Sequence, residues 1–343
     1  MNIRYTSLNL PFKYPFTISR GTKTYQPSLV VELEYFGIRG YGEAPAIPYY
    51  DIPVEKMVSD LEAKRPFLEK FSFNDPERYW HYLHHLFPFN SFLVCALDMA
   101  GWDLYGKIKK KQLHSLWNLE PSLSPFTDVT IGIDEIDVMV TKIKQQPWPI
   151  YKIKLGTDHD VEIITALRKH TQSIFRIDAN AAWTVEEALS KINILKDLGV
   201  ELIEQPLPKE DWTGMSYLFQ KSAIPLIADE SCATEKDIDK CIDHFHGINI
   251  KLTKCSGLTP ARRMILNARK AGLSVMIGSM NESLIGTSAI AQLLPLVDYA
   301  DLDGPLLLSE QNAEGLQYNY GKIDYSSQFG IGVTVSPSLF EGQ

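Results

Sequence analysis

Long apolar runs, paired cysteines and an excess of positive charge are all missing from this 343-residue chain. No stretch approaches 18 uninterrupted apolar residues, so we expect no membrane-spanning helix and no membrane partner. The four cysteines show no C-x-x-C spacing, which favours reduced thiols over a disulfide or zinc framework. The net charge of −8 argues against nucleic acid as a partner.

Targeting and nucleotide-binding signals are also missing. The opening sequence MNIRYTSLNLPFKYPF has no basic segment followed by an apolar one, so we expect no secretory signal and a cytoplasmic location. Neither a G-x-G-x-x-G fingerprint nor a P-loop follows any strand-like run, which makes nucleotide binding a weak interpretation. The expected partner is a small molecule, and the sequence leaves open a homo-oligomer.

The first third of the chain predicts a small α+β domain over residues 1–122. Apolar residues make up 45% and aromatic residues 11% of the chain, which excludes disorder. Residues 28–36 alternate and are β-branched, which predicts a strand with residues 1–10 as an antiparallel partner. Residues 54–117 look mainly helical, so strands precede helices.

A different rhythm begins near residue 125. Eight short apolar runs recur about every 25 residues, with helix-like segments between most of them. This α/β pattern predicts a (β/α)₈ barrel over residues 123–310, because consecutive parallel strands need crossover helices. We expect residues 311–343 to form a C-terminal segment that packs back on the first domain.

The predicted barrel strands end in polar residues. A barrel active site lies at the C-terminal ends of its strands, where Val, Ile and Leu would otherwise dominate. The residues at these ends are Thr130, Lys152, Lys154, Asp178, Glu204, Asp229, Lys251, Ser279, Asp301 and Asp303.

Three of these strand ends carry acids that can converge. Asp178, Glu204 and Asp229 follow successive strands, which lie about 4.8 Å apart in a sheet. Buried carboxylates repel one another unless a cation joins them, and oxygen ligands suit Mg²⁺, with Mn²⁺ as a second candidate. The alternative is a set of surface or ion-paired acids.

Lysines flank the three acids. Lys154 ends the strand before them and Lys251 the strand after them, so their ammonium groups can lie on opposite sides of a metal. A nearby cation in a water-poor site lowers a lysine pKa towards neutrality, which makes the amine a usable base. Two such bases could move a proton from one face of a carbon to the other through an enediolate. Lys152 would neutralise a substrate carboxylate.

The charged strand ends lie in five motifs, which are the Lys-x-Lys of YKIKLG, then RIDANAAW, IEQPLP, IADES and the second-base strand INIKLTKCSG. Together, the five motifs resemble those of the enolase superfamily and its muconate-lactonising subgroup. The resemblance implies a capping domain whose mobile loops, near residues 16–26 and 45–52, close over the barrel. It also implies catalytic roles for Lys154 and Lys251 and metal ligation by the three acids. Ser256 departs from the family pattern, which has glycine there.

The run YADLDGP is similar to the Asp-x-Asp signature of dipeptide epimerases. Two carboxylates two residues apart share one face of a strand and can bind an ammonium group. The resemblance implies that Asp301 and Asp303 hold the N-terminus of a dipeptide, and that the proton moves at the α-carbon of its C-terminal residue. The alternative is a polar turn. Further implied substrate contacts are Thr130, Lys152, Ser279 and Asn281.

The second residue of the dipeptide is harder to assign. Arg20 and Lys23 could bind a glutamate side chain, whereas Phe16 and Tyr25 in the same segment favour an apolar one. We favour an L-Ala-Xaa dipeptide with an uncharged or apolar second residue. The alternatives are a succinylbenzoate synthase, a muconate-type cycloisomerase, or an inactive metabolite-binding barrel.

Overall fold

The cap begins with a three-stranded antiparallel sheet. The computed structural model describes residues 1–341, and its first strands are β1 (Asn2–Ile18), β2 (Gly21–Tyr35) and β3 (Ile38–Pro45). The predicted pairing of the first strand with the second is confirmed, from Asn2 opposite Glu34 to Ile18 opposite Gly21. One irregularity interrupts this ladder between Pro11 and Phe16.

The segment predicted as a loop over residues 16–26 is instead the tip of the β1–β2 hairpin. Only two residues separate the strands, and Gly21 takes a φ of +134° that suits glycine. The sequence does not predict strands at the tip, because neither of its faces forms a regular apolar stripe. Backbone hydrogen bonds between β1 and β2 hold the tip in the sheet. The second predicted loop, over residues 45–52, follows β3 and contains a 3₁₀ turn at Pro48–Tyr50.

Helices cover one face of this sheet. The longest helix lies so close to β3 that a Cβ at Gly40 or Gly42 would collide with the carbonyl oxygens of Ala100 or Ala96. An apolar cluster including Leu33 fills the space between the sheet and the helices. The helices are α1 (Val54–Glu69), α2 (Pro76–Leu86), α3 (Ser91–Lys109) and α4 (Leu113–Leu116).

The predicted barrel of eight parallel strands is confirmed. Each strand from β4 to β11 pairs with the next, and a bridge from Thr127 to Ala300 joins the first edge to the last. The strands are β4 (Val129–Ile131), β5 (Ile150–Lys154), β6 (Ile174–Asp178), β7 (Val200–Glu204), β8 (Leu226–Ala228), β9 (Gly247–Ile250), β10 (Ser274–Gly278) and β11 (Tyr299–Asp301). The helices between and after them are α5 (Ile136–Gln145), α6 (Asp160–Arg168), α7 (Val185–Asp197), α8 (Trp212–Lys221), α9 (Ile238–Cys241), α10 (Leu252–Cys255), α11 (Leu258–Lys270), α12 (Leu284–Ala291) and α13 (Gly304–Leu307).

The barrel interior is mostly polar. A small cluster of Leu202, Ile227 and Met276 is its apolar layer, whereas the large core lies outside, between strands and helices. Because side chains alternate along a strand, Arg176 and Asp178 point to the same side of β6. The interior therefore directs several charged groups towards the C-terminal end of the barrel.

The last segment contacts both domains. The Phe340 ring stacks on Tyr41 of the cap, while the Tyr318 hydroxyl donates a 2.6 Å hydrogen bond to the Leu302 carbonyl of the barrel. Its elements are β12 (Ala313–Glu314), β13 (Gln317–Asn319), β14 (Lys322–Asp324), β15 (Thr334–Val335) and a 3₁₀ turn at Pro337–Phe340. Within residues 1–341, none of the helices combines the length and apolarity needed to cross a membrane.

Candidate active site

One cavity at the C-terminal end of the barrel gathers most of the predicted residues. It encloses about 730 Å³ including its mouth, between the barrel and the β1–β2 hairpin. Asp178 and Glu204 do not line it, because both are fully buried beneath its floor. The predicted residues that line it are Arg20, Lys23, Thr130, Lys152, Lys154, Asp229, Lys251, Ser279, Asn281, Asp301 and Asp303.

The two candidate bases lie at either end of the acid set. Lys154 and Asp178 are paired in register on neighbouring strands, and Asp178 is paired in the same way with Glu204. The Lys154 Nζ lies 2.5 Å from Asp178 Oδ2, and the Lys251 Nζ lies 2.8 Å from Asp229 Oδ2. Each lysine therefore contacts the acid nearest to it along the ring of strands.

The carboxylates around Lys251 govern its pKa in this arrangement. Burial lowers its pKa, but the negative charges of Asp229 and Glu204 outweigh burial and raise it above the usual value. An acid that contacts the ammonium group stabilises its charged form. A shift towards neutrality would need another cation to take up that negative charge.

Lys152 does more than the predicted neutralisation of a substrate carboxylate. Its ammonium group is buried and lies within 2.7 Å of Glu204 and Asp301 and 3.2 Å of Asp178. Burial lowers the Lys152 pKa, but the surrounding acids, with Asp301 first, raise it well above its usual value. Lys152 thus stays charged and connects the acids of β6 and β7 with the acid of β11.

The acids fit a divalent cation by their chemistry. Within residues 1–341, no three acidic, histidine or cysteine side chains already surround one point as a finished metal cage. Among residues 1–341, the buried Glu204 Oε2 accepts no hydrogen bond, although the Lys152 ammonium group lies 2.7 Å from it, while Oε1 accepts one of 2.8 Å from Asn249. Burial and the neighbouring Asp178 outweigh Lys152 and raise the Glu204 pKa to about 7, as expected for a buried carboxylate beside a second acid. Asp178, Glu204 and Asp229 could therefore hold Mg²⁺ through oxygen alone.

Three supporting residues were not predicted from the sequence. The buried Lys254 Nζ donates to Asp229 Oδ1 at 2.6 Å, and Gln205 Oε1 accepts from the Asp229 amide at 3.0 Å. The third residue, Asn249, donates a hydrogen bond from its side-chain amide to Glu204 Oε1. A signal exists for Asn249, which lies two residues before Lys251 and therefore faces the interior with it. Lys254 gives no such signal, because it lies in α10 and not in the alternating pattern of a strand.

The aspartates of β11 occupy the other side of the cavity. Asp303 Oδ2 accepts a 2.6 Å hydrogen bond from the Thr130 amide, while Asp301 is held by Lys152. Burial and the neighbouring Asp301 raise the Asp303 pKa to about 6. Burial also opposes ionisation of Asp301, but Lys152 prevails and lowers its pKa. Both acids are buried and line the cavity, whereas a polar turn at the surface would leave them exposed.

The cap closes the cavity with aromatic and cationic groups. Arg20 donates to Glu230 Oε1 at 2.5 Å and stacks over the Tyr49 ring, with 4.2 Å to the ring centre. Lys23 has a weaker contact, 3.4 Å to Gln26 Oε1, and burial lowers its pKa. Of the two predicted cations, Arg20 thus already has an acidic partner.

Ser256, which stands where the family pattern has glycine, has a strained backbone conformation and a hydrogen bond to the cap. Ser256 ends α10 with a φ of +75°, a left-handed conformation that glycine adopts without strain. The Trp80 indole N–H donates to the Ser256 carbonyl at 3.0 Å, which ties this residue to the cap. The base at Lys251 precedes α10 and keeps its place.

Fold and site together define a capped-barrel enzyme with paired lysines around an acidic centre. Residues 1–118 match the mandelate racemase / muconate lactonizing enzyme N-terminal domain, and residues 136–339 match the enolase C-terminal domain-like family. The chain belongs to the mandelate racemase / muconate lactonizing enzyme family of the enolase superfamily.

Individual relatives agree with this assignment. The chain is 50% identical over 335 residues to an L-Ala-D/L-amino acid epimerase of Flavobacterium johnsoniae, covering 98% of this chain and 100% of that protein. It is 38% identical to an L-Ala-D/L-Glu epimerase of Bacteroides thetaiotaomicron, covering 97% and 88%. A dipeptide epimerase structure from Cytophaga hutchinsonii, complexed with Mg and D-Ala-L-Val, superposes with a TM-score of 0.92 at 26% identity, covering 99% and 97%.

Proposed function

We propose that this chain is a dipeptide epimerase that uses two lysine bases, Lys154 and Lys251. The observation that carries the proposal is the arrangement of two separate acid groups around one cavity. Three acids lie between the lysines, and two aspartates lie on β11. The first group suits a carboxylate bound through a metal, and the second suits an ammonium group. A dipeptide offers both, and the relatives named as epimerases support this choice.

The proton would move between the two faces of the substrate α-carbon. One lysine, as a free amine, takes the α-proton while the other, as an ammonium group, delivers a proton to the opposite face. Lys152 stays charged and keeps the floor of the cavity from repelling a substrate carboxylate. Asp301 and Asp303 hold the substrate ammonium by charge-assisted hydrogen bonds. Reversing the lysine roles returns the starting epimer.

Asp178, Glu204 and Asp229 would hold Mg²⁺, with Mn²⁺ as a second candidate. When bound, the metal stabilises the negative charge that develops on the substrate carboxylate as the α-proton leaves. Lys254, Asn249 and Gln205 hold the acids in position. The Mg in the Cytophaga hutchinsonii structure supports the choice of metal.

For the substrate we propose an L-Ala-Xaa dipeptide whose second residue is uncharged or apolar. Phe16, Tyr49 and Tyr50 line the cavity, and Arg20 is already paired with Glu230. A charge that is already neutralised attracts a substrate carboxylate less strongly. The Flavobacterium johnsoniae relative, named for amino acids in general, agrees with a broad second position.

We further propose that the protein works in the cytoplasm, because its four cysteines are buried free thiols. The activity is tested by incubating the full chain with Mg²⁺ and L-Ala-L-Leu in D₂O. We expect the leucine α-proton signal to decay in the ¹H NMR spectrum while the L-Ala-D-Leu signals appear. The proposal would be contradicted if the α-proton exchanged but no second epimer formed. It would also be contradicted if no L-Ala-Xaa dipeptide showed either α-proton exchange or epimer formation.

A further inference from the structure

Two buried side chains beside the proposed metal ligands have oxygens without partners. Glu230 follows Asp229, and Asn180 lies two residues after Asp178. Both residues are 8% exposed and line the cavity. Within residues 1–341, Glu230 Oε2 and Asn180 Oδ1 are buried and accept no hydrogen bond. Leaving a buried acceptor unpaired destabilises a protein, so each oxygen calls for a donor.

One further acceptor of each residue is already used by the cap. Arg20 donates to Glu230 Oε1 at 2.5 Å and to the Asn180 backbone carbonyl at 3.2 Å. Arg20 lies in the two-residue turn of the β1–β2 hairpin, and its side chain is one-third exposed. One guanidinium group therefore bridges the loops that follow β6 and β8, and two of the proposed metal ligands lie here, Asp178 at the end of β6 and Asp229 directly after β8.

The geometry points to Glu230 and Asn180 as acceptors for the water ligands of the metal, and to Arg20 as the link that couples metal binding to the position of the hairpin. This inference rests on the metal site of the proposed function. Magnesium ions in proteins keep several water ligands, and each water has protons to donate. Such hydrogen-bond partners outside the ligand set orient a site and tune its affinity.

The roles of the three residues differ. Glu230 and Asn180 stabilise the hydrated metal, so their loss weakens its binding. Arg20 donates to the same two residues from the cap and contacts no other acid in the described structure. Its loss therefore frees the hairpin while leaving the acceptors in place. These are positioning roles, and none of the three side chains takes part in the proton transfer.

Mg²⁺ binding to the full chain, measured by isothermal titration calorimetry, tests the first part. We expect Glu230→Gln to weaken Mg²⁺ binding about tenfold or more, a loss typical of such partners. Asn180→Gly, which keeps the left-handed φ of +46° accessible, should also weaken it. The matched control is Glu235→Gln, because Glu235 is paired with Arg263 and does not line the cavity. The control should bind Mg²⁺ within about twofold of the unchanged protein.

Hydrogen exchange of the hairpin amides tests the coupling. Mg²⁺ should slow exchange over residues 16–26 in the unchanged protein, and Arg20→Met should remove this protection while Mg²⁺ still binds. If the unchanged protein binds no Mg²⁺ and epimerises nothing, the proposed function itself fails. If it binds Mg²⁺ and both Glu230→Gln and Asn180→Gly bind equally well, the acceptor role is overturned. If Arg20→Met keeps the Mg²⁺-dependent protection, the coupling is overturned.

Discussion

The cavity carries two groups of carboxylates that differ in partners although they share a residue type. The metal-side group is Asp178, Glu204 and Asp229, and each acid contacts a lysine. The ammonium-side group is Asp301 and Asp303, and in the described part of the chain Asp303 contacts a backbone amide but no lysine. Neighbouring charges, more than residue type, therefore decide whether an acid suits a metal or an ammonium group. Lys152 is the contact between the two groups.

The largest effect is expected from the metal-side group. Glu204→Gln removes the central carboxylate of the three proposed metal ligands, so kcat/KM should fall more than about 1000-fold for every dipeptide. Calorimetry should show weaker Mg²⁺ binding in the same variant. The control is Glu210→Gln, an exposed glutamate after β7 that should change neither value. Full activity of Glu204→Gln would remove the metal from the account.

The ammonium-side group should act on the substrate N-terminus alone. Asp303→Asn removes the charge while its amide oxygen can still accept from Thr130, so kcat/KM for L-Ala-L-Leu should fall about 10- to 100-fold. Asp301→Asn would be less informative, because it also removes a partner of Lys152. N-acetyl-L-Ala-L-Leu lacks the ammonium group, so Asp303→Asn should hardly change its kcat/KM. Equal losses on both substrates would show that Asp303 has a different role.

The raised pKa of Asp303 predicts a pH dependence of the same contact. Its pKa is about 6, so the carboxyl group gains a proton and loses its charge as the pH falls through 6. The kcat/KM for L-Ala-L-Leu should therefore decline from pH 7 to pH 5. The kcat/KM profile of Asp303→Asn should lack this limb. An identical limb in the variant would assign the titration to another group.

The smallest effect concerns the second residue of the dipeptide. Lys23→Met should lower kcat/KM for L-Ala-L-Glu by less than about tenfold and leave kcat/KM for L-Ala-L-Leu nearly unchanged. The reason is that one partly exposed ion pair, between Lys23 and the glutamate side chain of the substrate, contributes little. The ratio of the two kcat/KM values is the measurement. A much larger loss would show that Lys23 recognises an acidic side chain and that the protein is selective for glutamate.

Much of the barrel and its charged residues could be predicted from the sequence. The reason is that Val, Ile and Leu usually dominate strand ends. A charged residue such as Lys154, Asp178 or Lys251 at the end of an apolar run can therefore be recognised from the run itself. The long-range partners could not be predicted. Arg20 and Glu230 lie 210 residues apart, and nothing in either segment indicates the other.

The cap hairpin illustrates a second limit. Residues 16–26 are polar and contain a glycine, so their composition indicates a loop, yet their backbone continues the ladder to Ile18 opposite Gly21. Lys254 illustrates a third, because its acceptors include Asp229 and the carbonyl of Cys232, which lie on other segments of the chain. The composition of a segment indicates which of its residues are buried, but it does not indicate which hydrogen-bond partners come from neighbouring segments.

The two-base arrangement is tested most directly by separating the lysines. Lys154→Met and Lys251→Met are each incubated with L-Ala-L-Leu and with L-Ala-D-Leu in D₂O, and the leucine α-proton is followed by ¹H NMR. Each variant should form no second epimer, and each should still exchange the α-proton of one epimer, with the two variants retaining opposite epimers. Loss of exchange with the same epimer in both variants would place both amines on one face and contradict the account.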